Sequence, residues 1–210
     1  MLNYSEYFEK RPSASTRTLE LGKLHLPSGR IACCDPFLSQ ETGALETAVP
    51  PGDYGVDLCL ATLPKWGQRV ALARLLFSAS TVVQWRKAMH RVDLVSRSDF
   101  PVEAGLACFM DQSTRELLVR VVSDWHAKGV DANYYDDVLA REFKQNADLS
   151  NSYDVGHWAL HSPAKKDDRN VAMFASGLGD GIYHAYWGID AAGKPAMLVA
   201  DFDLLPMESA

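Results

Sequence analysis

The segment Ser176-Gly177-Leu178-Gly179-Asp180-Gly181 sets glycines at three of five successive positions around one aspartate. It restricts the possible folds more than any other stretch of the chain. Val171-Ala172-Met173-Phe174-Ala175 runs into it, and Ile182-Tyr183-His184-Ala185-Tyr186-Trp187-Gly188 runs out. Both flanks are apolar or aromatic and read as strands. A glycine-rich loop after a strand can cradle phosphate, but only where a helix N-terminus follows to aim its amides and dipole at the anion. Here a strand follows, and no Gly-Lys-Ser or Gly-Lys-Thr occurs. Nucleotide binding is therefore rejected. What remains is a sharp turn between two buried strands, in which Asp180 bonds nearby amides.

The rest of the chain supplies more strands around a helical middle. Leu19, Leu21, Leu24 and Leu26, then the Pro27-Ser28-Gly29 turn and Arg30-Ile31-Ala32-Cys33-Cys34, predict a hairpin over 19–34. Asp35-Pro36 closes its second strand. A loop over 39–53 leads to a strand from Tyr54 to Thr62. Residues 68–77 fit a helix or a strand buried on both faces, and the β-branched residues that follow favour the strand. Leu117, Leu118, Val121, Val122 and Trp125 predict a helix over 112–128. Asp111, Ser113 or Thr114 can cap its start, and Gly129 stands where a left-handed cap belongs. A second helix is predicted from Tyr134 to about Lys144, with Tyr135, Val138, Leu139 and Phe143 facing inward. Residues 146–168 read as a long exposed loop. The strands flanking the glycine corner, with Pro195 to Phe202 after an Asp190-Ala191-Ala192-Gly193 turn, read as a three-strand meander. The predicted class is α+β. Its sheet is mainly antiparallel, as two sheets or one strongly bent sheet, with one or two helices mid-chain. Residues 1–18 are expected to form a loosely attached segment and 19–210 a single domain.

Composition narrows the class. A net charge of −6 over 210 residues lacks the basic surface that nucleic-acid binding needs, yet suits a basic protein partner. No apolar run reaches the ~20 residues of a membrane span, and the first residues do not resemble a signal peptide. The expected location is cytoplasmic. Cys33, Cys34, Cys59 and Cys108 lack zinc-ligand spacing and read as buried, reduced thiols. On a strand, adjacent Cys33 and Cys34 would point to opposite faces. His157 and His161 are four apart, but Gly156 and Pro163 bracket too short a stretch for a helix. They read as loop histidines, and no metal or cofactor is expected.

Several motifs occur in a characteristic order. They are Leu21-Gly22-Lys23-Leu24, Pro27-Ser28-Gly29-Arg30-Ile31 with Asp35-Pro36, and Pro51-Gly52-Asp53-Tyr54. Val102-Glu103-Ala104-Gly105 with Cys108-Phe109-Met110-Asp111 comes next, then the glycine corner with Tyr186-Trp187-Gly188, and last Asp201-Phe202. On these motifs the chain resembles an uncharacterised bacterial family, domain of unknown function 4241, over residues 19–203. Glu103 stands where the family pattern has Asp, and Gly55 where it has Pro. The resemblance implies that Asp35, Gly105, Asp111, Gly177, Gly179, Asp180, Gly181, Trp187, Gly188 and Asp201 are family-typical. It implies no activity.

The leading functional expectation is a binding protein without catalysis, in the form of a cytoplasmic immunity protein that neutralises a cognate bacterial toxin or another basic protein. Tyr153, Asp154 and Trp158 in the polar 146–168 stretch are its candidate contact residues. The alternative is a metal-assisted hydrolase. That reading requires the carboxylates of Asp35, Asp111, Asp180 and Asp201 to converge on a hard cation.

Overall fold

The computed structural model describes residues 3–9, 15–38, 42–92, 94–147 and 156–205. In chain order these residues form α1 (Tyr4–Glu9), β1 (Thr16–Leu26), β2 (Ile31–Cys34), β3 (Gly52–Leu63), β4 (Gly67–Leu76) and β5 (Val82–Lys87). Next come β6 (His90–Val92), β7 (Val95–Arg97), β8 (Asp99–Val102), β9 (Leu106–Asp111) and α2 (Gln112–His126). A π-type helical turn (Tyr135–Leu139) runs into α3 (Ala140–Lys144). β10 (Trp158–His161), β11 (Val171–Ala175), β12 (Gly181–Asp190) and β13 (Pro195–Asp201) complete the described chain.

The strands pair antiparallel in two main sheets. A seven-stranded sheet runs β1-β3-β4-β13-β12, where β12 is edged by β5 along one half and by β8 along the other. A four-stranded sheet runs β10-β11-β9-β2, and β6 and β7 form a separate hairpin. The α+β class with mainly antiparallel sheet is as predicted, in its two-sheet form.

Strand alternation explains how the layers stack. Leu58, Leu60, Leu75, Leu198 and Trp187 of the large sheet meet Ile31, Cys33, Phe109 and Phe174 of the small sheet in one buried cluster. The opposite face of the small sheet, with Cys34, Cys108, Met110 and Met173, is covered by Leu118, Tyr134, Leu139 and Phe143 of the helical layer. The outer face of the large sheet, with Cys59, Leu72 and Val199, takes Tyr4 and Phe8 of α1. Cys33 and Cys34 do point to opposite faces. All four cysteines are free and buried, and burial holds the Cys33 and Cys108 thiols well above their ordinary pKa.

Two β-bulges account for breaks in the apolar period. Between Glu20 and Gly22 the register against β3 slips, so Leu21 is the extra residue that shifts Leu19 and Leu24 onto one face. Between Cys59 and Leu60 the register against β4 slips by Ala71, which lets Ala71 and Leu72 share the outer face. Residues 68–77 are therefore a strand buried on both faces, as expected.

Several local expectations are corrected. The Pro27-Ser28-Gly29 turn is present, but β1 pairs with β3 and β2 with β9, so no hairpin forms. Leu24, Leu26, Ile31 and Cys33 all face the same inter-sheet core. Alternation has the same phase whether two strands pair side by side or face each other across a sandwich. The three-strand meander is likewise replaced. β12 and β13 form a hairpin, while β11 lies in the other sheet. The stretch expected as a long exposed loop contains edge strand β10 and the buried His161. Gly129 provides no left-handed cap. α2 closes through Ala127 in helical conformation, with Lys128 N–H donating to the Trp125 carbonyl at 3.0 Å.

The N-terminal helix is not loosely attached. Tyr4 is 3% exposed, and its hydroxyl donates to Asp201 Oδ2 at 2.9 Å. Its ring meets Trp85 edge-on and stacks on Tyr186. Burial raises the Asp201 carboxyl above its ordinary 3.8, against the lowering effect of its bonds from Asp203 N–H and the Tyr4 hydroxyl. The folded state thus binds this proton more tightly than the unfolded chain. The contribution is greatest below the ordinary carboxylate range and is lost as pH rises through the folded value. Asp201→Asn should therefore gain stability relative to the parent between about pH 4 and pH 7. Parallel urea-unfolding stabilities across that range would overturn this expectation.

Candidate functional site

The glycine corner is a crossover between sheets. β11 ends at Ala175, and Ser176 N–H donates to the Gly105 carbonyl at 3.1 Å. Gly179 N–H returns to the Ser176 carbonyl, and Ser176 Oγ donates to the Gly179 carbonyl, both at 2.8 Å. The Tyr183 hydroxyl lies within 2.8 Å of the Gly179 carbonyl and 3.1 Å of the Ser176 carbonyl. Gly177 has φ +58°, and a Cβ there would lie 2.9 Å from the Phe202 carbonyl oxygen. Gly181 opens β12 opposite Val102. Farther along, Gly188 leaves room for Trp85, Val82 and Met197, which a Cβ would meet at 2.8–3.0 Å.

Each of the four predicted aspartates has structural donors of its own. Asp35 is fully buried and accepts from four backbone amides. Phe37 N–H (2.8 Å) and Leu38 N–H (3.4 Å) reach Oδ1, while Glu103 N–H (3.0 Å) and Ala104 N–H (2.9 Å) reach Oδ2. Asp180 takes the next amide of that loop, Gly105 N–H, at 3.0 Å. The two aspartates thus pin one loop between β8 and β9. What Asp35 recognises at Glu103 is the backbone N–H, so the extra methylene relative to Asp leaves this tie unchanged. Asp111 caps α2 by accepting from Ser113 N–H at 2.8 Å, and holds the first sheet-to-sheet turn through Ser28 N–H and Oγ. Asp201 binds α1 on the far side of the large sheet.

Convergence therefore fails. Among the described residues, no three His, Cys, Asp or Glu side chains form a group that could hold a metal ion. The predicted carboxylate cluster is replaced by separate ties that satisfy buried amides and hydroxyls, as buried polar groups require. Of the predicted contact residues, Trp158 is half-buried against the inter-sheet core. Tyr153 and Asp154 lie outside the described residues.

A concave surface with built-in polar chemistry lies elsewhere. A cleft of about 660 Å³ opens between the helical layer and β10, walled by Val121, Trp125, Val138, Leu160 and Pro163. Lys128 Nζ sits 3.2 Å from the centroid of the Trp125 ring, and the indole N–H donates to Asp137 Oδ2 at 2.8 Å. At the cleft's base Glu142 Oε2 lies 2.9 Å from His161 Nδ1, and His161 Nε2 lies 2.8 Å from the Tyr134 hydroxyl. With Nδ1–H donated to the carboxylate, Nε2 accepts the phenol proton. Burial, with Glu142 nearby, pushes the Tyr134 phenol up to about 12. It is neutral at pH 7, and its proton is spent on His161. The relay ties the helical layer to β10.

The sequence offered no route to this relay. Tyr134, Glu142 and His161 share no motif, and His161 resembled a loop residue. Only the pairing of β10 with β11 places it beneath the helices.

No helix among the described residues is long and apolar enough to cross a membrane. No curated protein and no solved structure matches the chain. The family described as Protein of unknown function (DUF4241) matches residues 24–200, well over half of the chain. That span contains Asp35, Asp111, the glycine corner and the Trp187-Gly188 pair, and the chain belongs to this family.

Proposed function

We propose that this protein is a binding protein without catalysis of its own, which holds a partner protein at the cleft between the helical layer and edge strand β10. The finer form of the reading is a cytoplasmic immunity protein that neutralises a basic toxin. One observation carries the proposal: the aspartates that would have built a reaction centre are all engaged in holding backbone and core hydroxyls. Three features support the site. The cleft wall sets apolar and aromatic Val121, Trp125 and Val138 among polar Asp137, Arg141, Glu142 and Lys165, a mixture of the kind interfaces use. Among the described residues β10 pairs with β11 alone, so an extended partner segment can add along its other edge beyond the Trp158 carbonyl, which accepts from Asn146 Nδ2 at 2.8 Å. The net charge of −6 steers a basic protein toward this chain.

The test is co-expression with neighbouring genes of the native genome, followed by co-purification. A stable complex with a toxin is expected. Ser162→Arg should weaken it by about 30-fold or more, because it sets bulk and a cation at the cleft facing a basic partner. Ser162 lines the cleft, is exposed and lies outside the strands, so the same variant should keep the parent's thermal midpoint. Recovery of the lone protein from every pairing, or a complex indifferent to Ser162→Arg, would overturn the proposal.

A further inference from the structure

On the opposite side of the molecule the family-typical Trp187 has an unexplained feature. Its side chain is 3% exposed, and its Nε1 finds no hydrogen-bond partner among the described residues. An indole N–H is a donor only, and leaving a buried donor unpaired costs about 1–3 kcal/mol. Trp187 forms part of the wall of a pocket of about 190 Å³ between edge strand β5, the β12–β13 turn and the segment at Glu46. Met89 and Ile189 supply apolar wall, and Arg86 brings a cation. Arg86 lies directly opposite Trp187 in the β5–β12 register, so both project from the same face, while Lys87, opposite Tyr186, projects from the other. Among the described residues the Arg86 guanidinium is held only by the neutral Gln84 amide oxygen, at 2.7 and 2.9 Å. The one acid of the pocket, Glu46, already faces Arg91 Nε at 3.3 Å and accepts from Ser96 Oγ at 2.5 Å.

We propose that this pocket binds the carboxylate of a small organic acid, with Arg86 taking its charge and Trp187 Nε1–H donating to one of its oxygens. A planar carboxylate fits a guanidinium fork as well as a single N–H donor, and charge-assisted bonds of this kind are the strong ones. The volume bounds the ligand's size. It equals about six waters at ~30 Å³ each, too small for a nucleotide or peptide. Because Nε1 is sealed from solvent, capture requires β5, paired on one side only, to yield slightly. The pocket is remote from the β10 cleft, so this inference stands or falls independently of the binding role proposed there.

The test uses the full chain labelled with ¹⁵N at its tryptophans, with benzoate as the probe. The Trp187 Nε1–H resonance is assigned by its disappearance in Trp187→Phe. Should that variant not fold, the resonance is assigned by elimination, from the signal lost in each of Trp66→Phe, Trp85→Phe, Trp125→Phe and Trp158→Phe. Benzoate should shift this resonance saturably below ~10 mM, a millimolar affinity being typical of one small charged contact set. Arg86→Gln should weaken the response about tenfold or more. An unmoved resonance, an equal response to neutral benzamide, or an undiminished response in Arg86→Gln would overturn the proposal. A shift with inorganic phosphate but not with benzoate would overturn the carboxylate assignment.

Discussion

Asp35→Ala should lower the unfolding free energy by about 4 kcal/mol or more, among the largest effects a single side chain can have here. The carboxylate is fully buried and accepts from four amides belonging to two distant segments, 37–38 and 103–104. Alanine strands all four donors at once, on half-buried Phe37 and Leu38 and on Glu103 and Ala104 of the neighbouring loop. Asp35→Asn sharpens the argument. Its shape is nearly the same, but one oxygen becomes an NH₂ facing two N–H donors, so it should also cost more than about 2 kcal/mol. Urea denaturation of the parent and both variants decides the matter. A midpoint for Asp35→Ala equivalent to a loss under about 1 kcal/mol would show that the loop is held by other means.

Gly29→Ala is expected to be comparably severe, at about 3 kcal/mol or more. The residue has φ +67°, and a Cβ would sit 1.9 Å from the Val49 carbonyl oxygen, far inside contact. The backbone cannot give way easily, because Val49 N–H donates to the Gly29 carbonyl at 2.9 Å and Ser28 is held by Asp111. Gly55→Ala serves as the control. A Cβ there meets nothing within 4 Å, so the change should stay within about 1 kcal/mol of the parent. Similar midpoints for the two variants would mean that the turn between the sheets is less constrained than its geometry indicates.

Much of the local structure was readable from residue order, because the signals are local. The period of β3 follows from alternation, and β4, β12 and β13 are legible as apolar or aromatic runs bounded by turns. α2 follows from the 3.6-residue spacing of Leu118, Val121, Val122 and Trp125, and its start from Asp111. The placement of Tyr135, Leu139 and Phe143 facing inward also holds, although the turn that carries Tyr135 is of π type. The bulge in β1 left a trace as well, in the change of parity from Leu19 and Leu21 to Leu24 and Leu26. The 158–161 segment misled, because it is four residues long within a polar stretch, and as an edge strand with an exposed Leu160 it carries little apolar period.

Partner choice was not readable, and it decided both the topology and the fate of the site. The Pro27-Ser28-Gly29 turn and the glycine corner each join two strands whose apolar residues face one core. A hairpin and a sandwich crossover demand the same alternation, so the sequence by itself determined the strands, their buried faces and the sharp turns between them. Only the tertiary structure decided that both turns carry the chain from one sheet to the other. The same holds for the aspartates. Their positions at strand ends are plain in the sequence, but a carboxylate's role depends on which donors come within 3 Å, and those come from residues tens of positions away. The fold brings backbone amides and hydroxyls to Asp35, Asp111, Asp180 and Asp201 and gathers no three of these carboxylates together, and so makes them ties between segments.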